Sequence, residues 1–214
     1  MSNISKRILT SFPLLIIAIF AIYNNAVLVL SLFIISSVLI YEFTNILKKI
    51  FKRNKSNSLI FINLFIFYVC LFNGQIYFFL SDNIENKQTI FLFILSICIF
   101  TDIGGYIFGK IFKGKKLTSI SPNKTYAGMF GSFICSLIIC MLFIKYLNFS
   151  NNLIIFTLII SFVSQIGDLF ISYLKRKAKI KDTGNFLPGH GGLLDRLDGI
   201  IFAIPLSIKI FTFF

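Results

Sequence analysis

Only eight residues of this 214-residue chain are acidic, and five are aspartates from position 102 onward: Asp102, Asp168, Asp182, Asp195 and Asp198. Their spacing is informative. Asp168, Ser172 and Lys175 stand at i, i+4 and i+7, so on a helix they share one face. Asp195 and Asp198, at i and i+3, share another, and Asp102 shares a third with Gly105 and Gly109. Asp102 and Asp168 are embedded in long apolar runs. A carboxylate deep in such a helix costs about 2.5–3.5 kcal/mol in a bilayer and usually faces a polar cavity. A salt bridge to a lysine is one reading. Metal ligation accounts better for the whole set, since hard oxygen ligands suit Mg²⁺, which takes one or two carboxylates plus substrate phosphates. Of the other acids, Asp82 and Glu85 read as solvation of a short loop. Glu42 reads either as a site residue or, preferably, as an interfacial acid pairing with Lys48 or Lys49.

Two loops carry groups suited to phosphate. Ser121-Pro122-Asn123-Lys124-Thr125 joins hydroxyls and a lysine to a helix start, where Thr125 or Ser121 can cap the helix and its N-terminus attracts anions. An ordinary capped turn is the plainer reading. In Pro188-Gly189-His190-Gly191-Gly192, three glycines surround the only histidine and permit close approach of a ligand. A tight turn is again the plainer alternative. Cys70, Cys98, Cys135 and Cys140 lie inside apolar runs without a CxxC, which with a single histidine argues against zinc and for small apolar filler.

The elements that must position these groups are membrane helices. The chain is 57% hydrophobic and 14% charged, with a mean hydropathy of +0.87. That excludes disorder and argues against a small soluble enzyme. Seven apolar spans are expected, at roughly 8–23, 26–47, 58–80, 89–109, 126–147, 152–174 and 198–214, most near the ~20 residues that cross a bilayer. The first follows Lys6 and Arg7. It lacks a small-residue cleavage site, and Asn24-Asn25 turns straight into the next span, so a retained hairpin is expected rather than a signal peptide. Of the 21 Lys and Arg, 18 fall on the side shared by the N-terminus and the loops after spans two, four and six. Only Lys87, Lys145 and Lys209 fall on the other. This is the positive-inside pattern of a chain whose N-terminus is cytoplasmic. The net charge of +13 therefore points to an anionic membrane face rather than to nucleic acid. The expected fold class is an all-α polytopic membrane protein of about seven helices. It reads as one membrane-embedded domain over 1–214, with N-terminal helices over 1–88 and, over 89–214, the region that holds the clustered aspartates and the two phosphate-suited loops.

The stretch 172–198 carries a denser pattern: Ser172, Lys175-Arg176, Lys181-Asp182, Gly184, Pro188, His190-Gly191-Gly192, Asp195-Arg196 and Asp198. It resembles the signature of the phosphatidate cytidylyltransferase (CDP-diacylglycerol synthase) family. Gly167-Asp168-Leu169, Asp102, and Ser121-Pro122-x-Lys124-Thr125 also look like motifs of that family. The specific resemblance covers about residues 90–214. One departure is Ala127 after Tyr126, where the family often has Glu. The other is an N-terminal half shorter than in most relatives.

The resemblance implies that CTP and phosphatidate give CDP-diacylglycerol and pyrophosphate, with Mg²⁺ and room for a second cation, at the cytoplasmic face of the cell membrane. The attacking lipid phosphate has a second pKa of about 6, so it is largely ionised at neutral pH and needs no strong base. The task is to bring polyanions together and stabilise the departing pyrophosphate, which metal ions and Lys/Arg clamps do. On this reading Asp168 and Asp195 ligate metal. Asp198, Asp102 and Asp182 position metal, water or lysine. Lys175, Arg176, Lys181 and Arg196 bind phosphate, some of them anchoring to anionic lipid instead. Ser121, Lys124, Thr125 and Ser172 contact substrate, His190 bonds a phosphate oxygen, and Gly191 and Gly192 give backbone access. Membrane lipids are partners, nucleic acid is not, and a homodimer is left open. The competing readings are a CTP-dependent lipid kinase, which would release CDP instead of pyrophosphate, a transporter, and an inactive scaffold.

Overall fold

The computed structural model describes residues 16–52, 54–82, 84–118, 121, 124–147, 152–186 and 191–211. Seven helices have both ends within them: α1 (Asn25–Ile50), α2 (Lys55–Ser81), α3 (Lys87–Phe112), α4 (Tyr126–Phe143), α5 (Asn152–Lys177), α6 (Leu194–Leu197) and α7 (Ile200–Phe211). No strand occurs among the described residues, and five of the helices are long and apolar enough to cross a membrane. At 1.5 Å per residue the 26-residue helices reach about 39 Å, more than a ~30 Å hydrocarbon core. The protein is an all-α polytopic membrane protein. Its spans from 26 to 174 lie where hydropathy places them. The last begins later: the apolar run from 198 becomes a helix only at Ile200, and α7 continues, with Pro205 inside, to Phe211, the last described residue. Of the first expected span, residues 16–23 are helical and the remainder lies outside the described residues.

Helix starts follow from local chemistry. Asn24 accepts from the amides of Ala26 (3.0 Å) and Val27 (3.3 Å), separating the helical residues 16–23 from α1. Asn54 accepts from Asn57 N at 3.3 Å and starts α2. The end of α5 is a Schellman turn: Lys179 adopts a left-handed φ of 57°, its N–H reaches Arg176 O, and Ile180 N reaches Lys175 O.

The chain forms two compact units. The first contains the described residues up to Asp82 together with Leu174–Leu197, hence α1, α2, the tip of α5, the loop beyond it and α6. Its core is built from residues three and four apart. Leu32, Leu39, Phe43 and Ile46 of α1 are buried, as are Phe65, Val69, Phe72 and Ile76 of α2. The Phe43 and Phe65 rings stack at 3.7 Å. The opposite faces stay apolar: Phe33, Phe67 and Phe78 are 70%, 63% and 72% exposed, a cost in water and none against acyl chains.

The second unit contains the described residues of 83–173 and 198–214. Here α3 and α4 approach closely through small residues. A Cβ on Gly104 would lie 2.5 Å from Gly131 O, and one on Gly128 2.7 Å from Gly105 O. The Gly105/Gly109 pair therefore does what its spacing most simply suggests, admitting a neighbouring helix. Gly167 of α5 and Gly199 before α7 do the same, bringing Asp198 O within 2.8 Å of where a Gly167 Cβ would be.

Candidate active site

In the second unit, α3, α4, α5 and the segment before α4 enclose a cavity of about 290 Å³. Asp102, Tyr106, Ser121, Lys124, Thr125, Gln165, Asp168 and Ser172 line it. The loop that delivers Lys124 is pinned at both ends. Leu117 N bonds Lys124 O at 2.8 Å, Tyr126 N bonds Lys115 O at 3.2 Å, and Gly114 takes a φ of 94° in the turn leading in. Thr125 is the cap of α4, accepting from Gly128 N at 3.1 Å. Its oxygen is thus committed to the helix, and its hydroxyl hydrogen is what it has to offer a ligand.

Lys124 forms an ion pair with Asp168 Oδ2. The lysine partner weighed above against a metal is therefore real, and each side chain keeps about a quarter of its surface exposed. Ser172 Oγ donates to Asp168 Oδ1 at 3.3 Å, one turn along α5, as the spacing requires. Asp198 is buried and accepts from Gly199 N at 2.9 Å, with the Asp168 and Asp102 carboxylates as charged neighbours. Neighbouring carboxylates favour a proton or a cation between them. That donor set fits Mg²⁺. No group of three or more His, Cys, Asp or Glu side chains placed to hold a metal ion occurs among the described residues. A cation here would complete its shell from substrate phosphate and water.

Behind the cavity wall runs a polar seam: Thr101 Oγ1 donates to Ser161 Oγ at 2.9 Å, and Ser132 Oγ to Thr101 O at 2.7 Å. Gln165 lies three residues before Asp168 on the same helical face and lines the cavity. The periodicity that singled out Ser172 and Lys175 also identifies it, when read toward the N-terminus.

In the first unit, Asp195 organises the loop after α5. Its Oδ1 accepts from Lys175 Nζ at 2.7 Å. Its Oδ2 accepts from Thr183 N at 2.8 Å, Thr183 Oγ1 at 3.1 Å and Gly192 N at 3.2 Å. Gly191 has a φ of 85°, which a side chain disfavours. Gly192 has no room for one, because a Cβ would lie 2.6 Å from Glu42 Oε2 and closer still to Thr183 Oγ1. At Gly192 the protein's own Thr183 and Glu42 side chains make the close approach. Arg176, Lys181, Asp182 and Arg196 are exposed. His190, with Pro188 and Gly189, lies outside the described residues, as do Pro122 and Asn123.

Glu42 departs from expectation. Its side chain does not sit at the interface beside Lys48 or Lys49; it is 2% exposed. It accepts from Thr183 Oγ1 at 2.7 Å, Leu193 N at 3.0 Å and Leu194 N at 2.9 Å. An acid within an apolar span was the available signal. Its partners lie more than 140 residues away in sequence, beyond the reach of periodicity.

A polytopic helical protein with a lysine–aspartate pair in each of its two units defines the class. The sequence matches the profile of the Cytidylyltransferase family over residues 5–214, and the chain belongs to that family. It is 40% identical over 137 residues to the phosphatidate cytidylyltransferase of Staphylococcus haemolyticus (strain JCSC1435), covering 62% of this chain and 52% of the relative. It is 44% identical over 119 residues to that of Staphylococcus aureus (strain COL), covering 54% and 46%. The chain spans about half the length of the curated relatives it matches.

Proposed function

We propose that the chain transfers the cytidylyl group of CTP to phosphatidate, giving CDP-diacylglycerol and pyrophosphate at the cytoplasmic face of the cell membrane. The observation that carries this reading is the cavity of the second unit, where Lys124 and Asp168 pair at the wall among the hydroxyls of Ser121, Thr125 and Ser172. Family membership and the names of the staphylococcal relatives support it.

A phosphate oxygen of the lipid attacks the α-phosphorus of CTP, the bond to the β-phosphate oxygen breaks, and pyrophosphate leaves. Lys124 is placed to neutralise the nucleotide's phosphates once they draw it from Asp168, and Ser121 and Thr125 donate hydroxyl hydrogens. Asp168 is the proposed Mg²⁺ ligand, with the Asp198 and Asp102 carboxylates near it. When bound, the ion would offset charge on the phosphates and the leaving group. Asp195, the other proposed ligand, has Oδ2 filled by three donors; Oδ1, held by a lysine ammonium, is the oxygen a cation would take. In the first unit, Lys175 is held in a fixed position by Asp195, and the exposed Arg176, Lys181 and Arg196 suit lipid or nucleotide phosphate. His190 keeps its proposed bond to a phosphate oxygen, and Asp182 its role in positioning.

The test is an assay of purified membranes with CTP, phosphatidate and Mg²⁺. The expected products are CDP-diacylglycerol and pyrophosphate in equal amounts. Release of CDP with a phosphorylated lipid alcohol would instead make the chain a kinase.

A further inference from the structure

Glu42 stands on α1, and the segment it touches follows α5. Between them its two oxygens accept three hydrogen bonds, from both arms of one loop: Thr183 on the outgoing arm, Leu193 and Leu194 on the returning arm. The same carboxylate sets the space allowed on both arms. A Cβ on Gly184 would lie 2.7 Å from Oε1, and one on Gly192 2.6 Å from Oε2. Thr183 then passes the constraint on, since its N–H and hydroxyl both reach Asp195 Oδ2, and Asp195 in turn holds Lys175. A buried carboxylate is costly unless its lone pairs are filled. Here the filling groups are two backbone amides and a threonine hydroxyl of a segment flanked by Lys181 and Arg196.

We propose that Glu42 is a positioning residue: an acid of the N-terminal helices that clamps Thr183, Leu193 and Leu194 in the positions that fix Asp195 and Lys175. This rests on the cytidylyl-transfer reading for its catalytic consequence, although not for the clamp itself. A carboxylate is required rather than an isosteric amide. Both oxygens face amide N–H donors, so the NH₂ of a glutamine would meet Leu193 N or Leu194 N donor to donor.

The experiment compares wild type with Glu42→Gln, Glu42→Asp, Gly184→Ala and the double variant Glu42→Asp/Gly184→Ala, all full length in membranes and in detergent. In Glu42→Gln, kcat is expected to fall about 100-fold, the usual result of moving reacting groups by an ångström. KM for CTP should change little, because the cavity lined by Lys124 is untouched. Hydrogen exchange at the Leu193 and Leu194 amides should accelerate while α1 and α2 keep their protection. Gly184→Ala should be impaired by crowding Oε1. Withdrawing the carboxylate by one methylene in the double variant should restore part of its activity, whereas a loss through general destabilisation would deepen. Unchanged exchange at Leu193 and Leu194 in Glu42→Gln, or a double variant worse than Gly184→Ala, overturns the clamp. If wild type itself forms no CDP-diacylglycerol, the functional reading falls, and the exchange measurement still decides the clamp.

Discussion

Lys124 and Asp168 are the residues on which the chemistry proposed for the second unit turns. Each neutralises the other, which keeps a charged pair tolerable at the wall of an apolar bundle. Replacing Lys124 with Met should lower kcat/KM by about 10²–10³-fold, the typical effect of removing one preorganised donor from a developing anion. Initial-rate measurements of pyrophosphate release would check this. Asp168→Asn and Asp195→Asn should each abolish turnover while immunoblots of membranes show undiminished protein. Near-normal synthesis by either would remove that residue from the proposed metal ligands. Much at this scale is legible from the sequence. Helical spacing joins Asp168 to Ser172, and a threonine before an apolar run marks the cap of α4. Spacing cannot show that Gly192 is kept small by Glu42. That contact depends on tertiary packing between an apolar helix and a loop remote in sequence.

At the scale of elements, the second unit depends on how near α3 and α4 come. Gly104, Gly105, Gly128 and Gly131 occupy the seam, and a larger side chain there would push on backbone, on Ser132 or on the half-buried Phe108 ring. Gly128→Leu should cost about 1–3 kcal/mol, the usual penalty of overpacking, and lower Tm in detergent. Gly74→Ala in α2 is the control: nothing lies within 4 Å of the added carbon, so Tm should hold or rise slightly. Hydropathy located the long helices within a few residues because a bilayer sets both their length and their composition. It was less informative after Asp198. The turn at 198–199 delays the helix in an apolar stretch that reads as continuous, and backbone geometry rather than transfer free energy decides where α7 begins.

For the whole molecule, sidedness is the property most open to test. The side proposed as cytoplasmic bears 18 of the 21 basic residues, which neither helix packing nor the proposed site requires in such number. Single cysteines at Lys87 or Lys145 should react with a membrane-impermeant maleimide added to intact cells. Cysteines at Lys52 or Lys179 should react only after permeabilisation. The reverse pattern would invert the topology and place the loop after α5 on the outer face. The native cysteines all lie within helices α2, α3 and α4, so they should contribute little background in such labelling.

Thr183 offers a single hydroxyl hydrogen, yet two acceptors lie within its reach: Glu42 Oε2 at 2.7 Å and Asp195 Oδ2 at 3.1 Å. Every other hydrogen directed at those two atoms belongs to a backbone amide and cannot rotate. The hydroxyl is therefore a rotor between two anions. Any ligand that draws charge from Asp195 weakens one side of its torsional well and turns it toward Glu42, with no shift of the main chain. Occupancy at one carboxylate is in this way communicated to the other by a rotation about a single C–O bond.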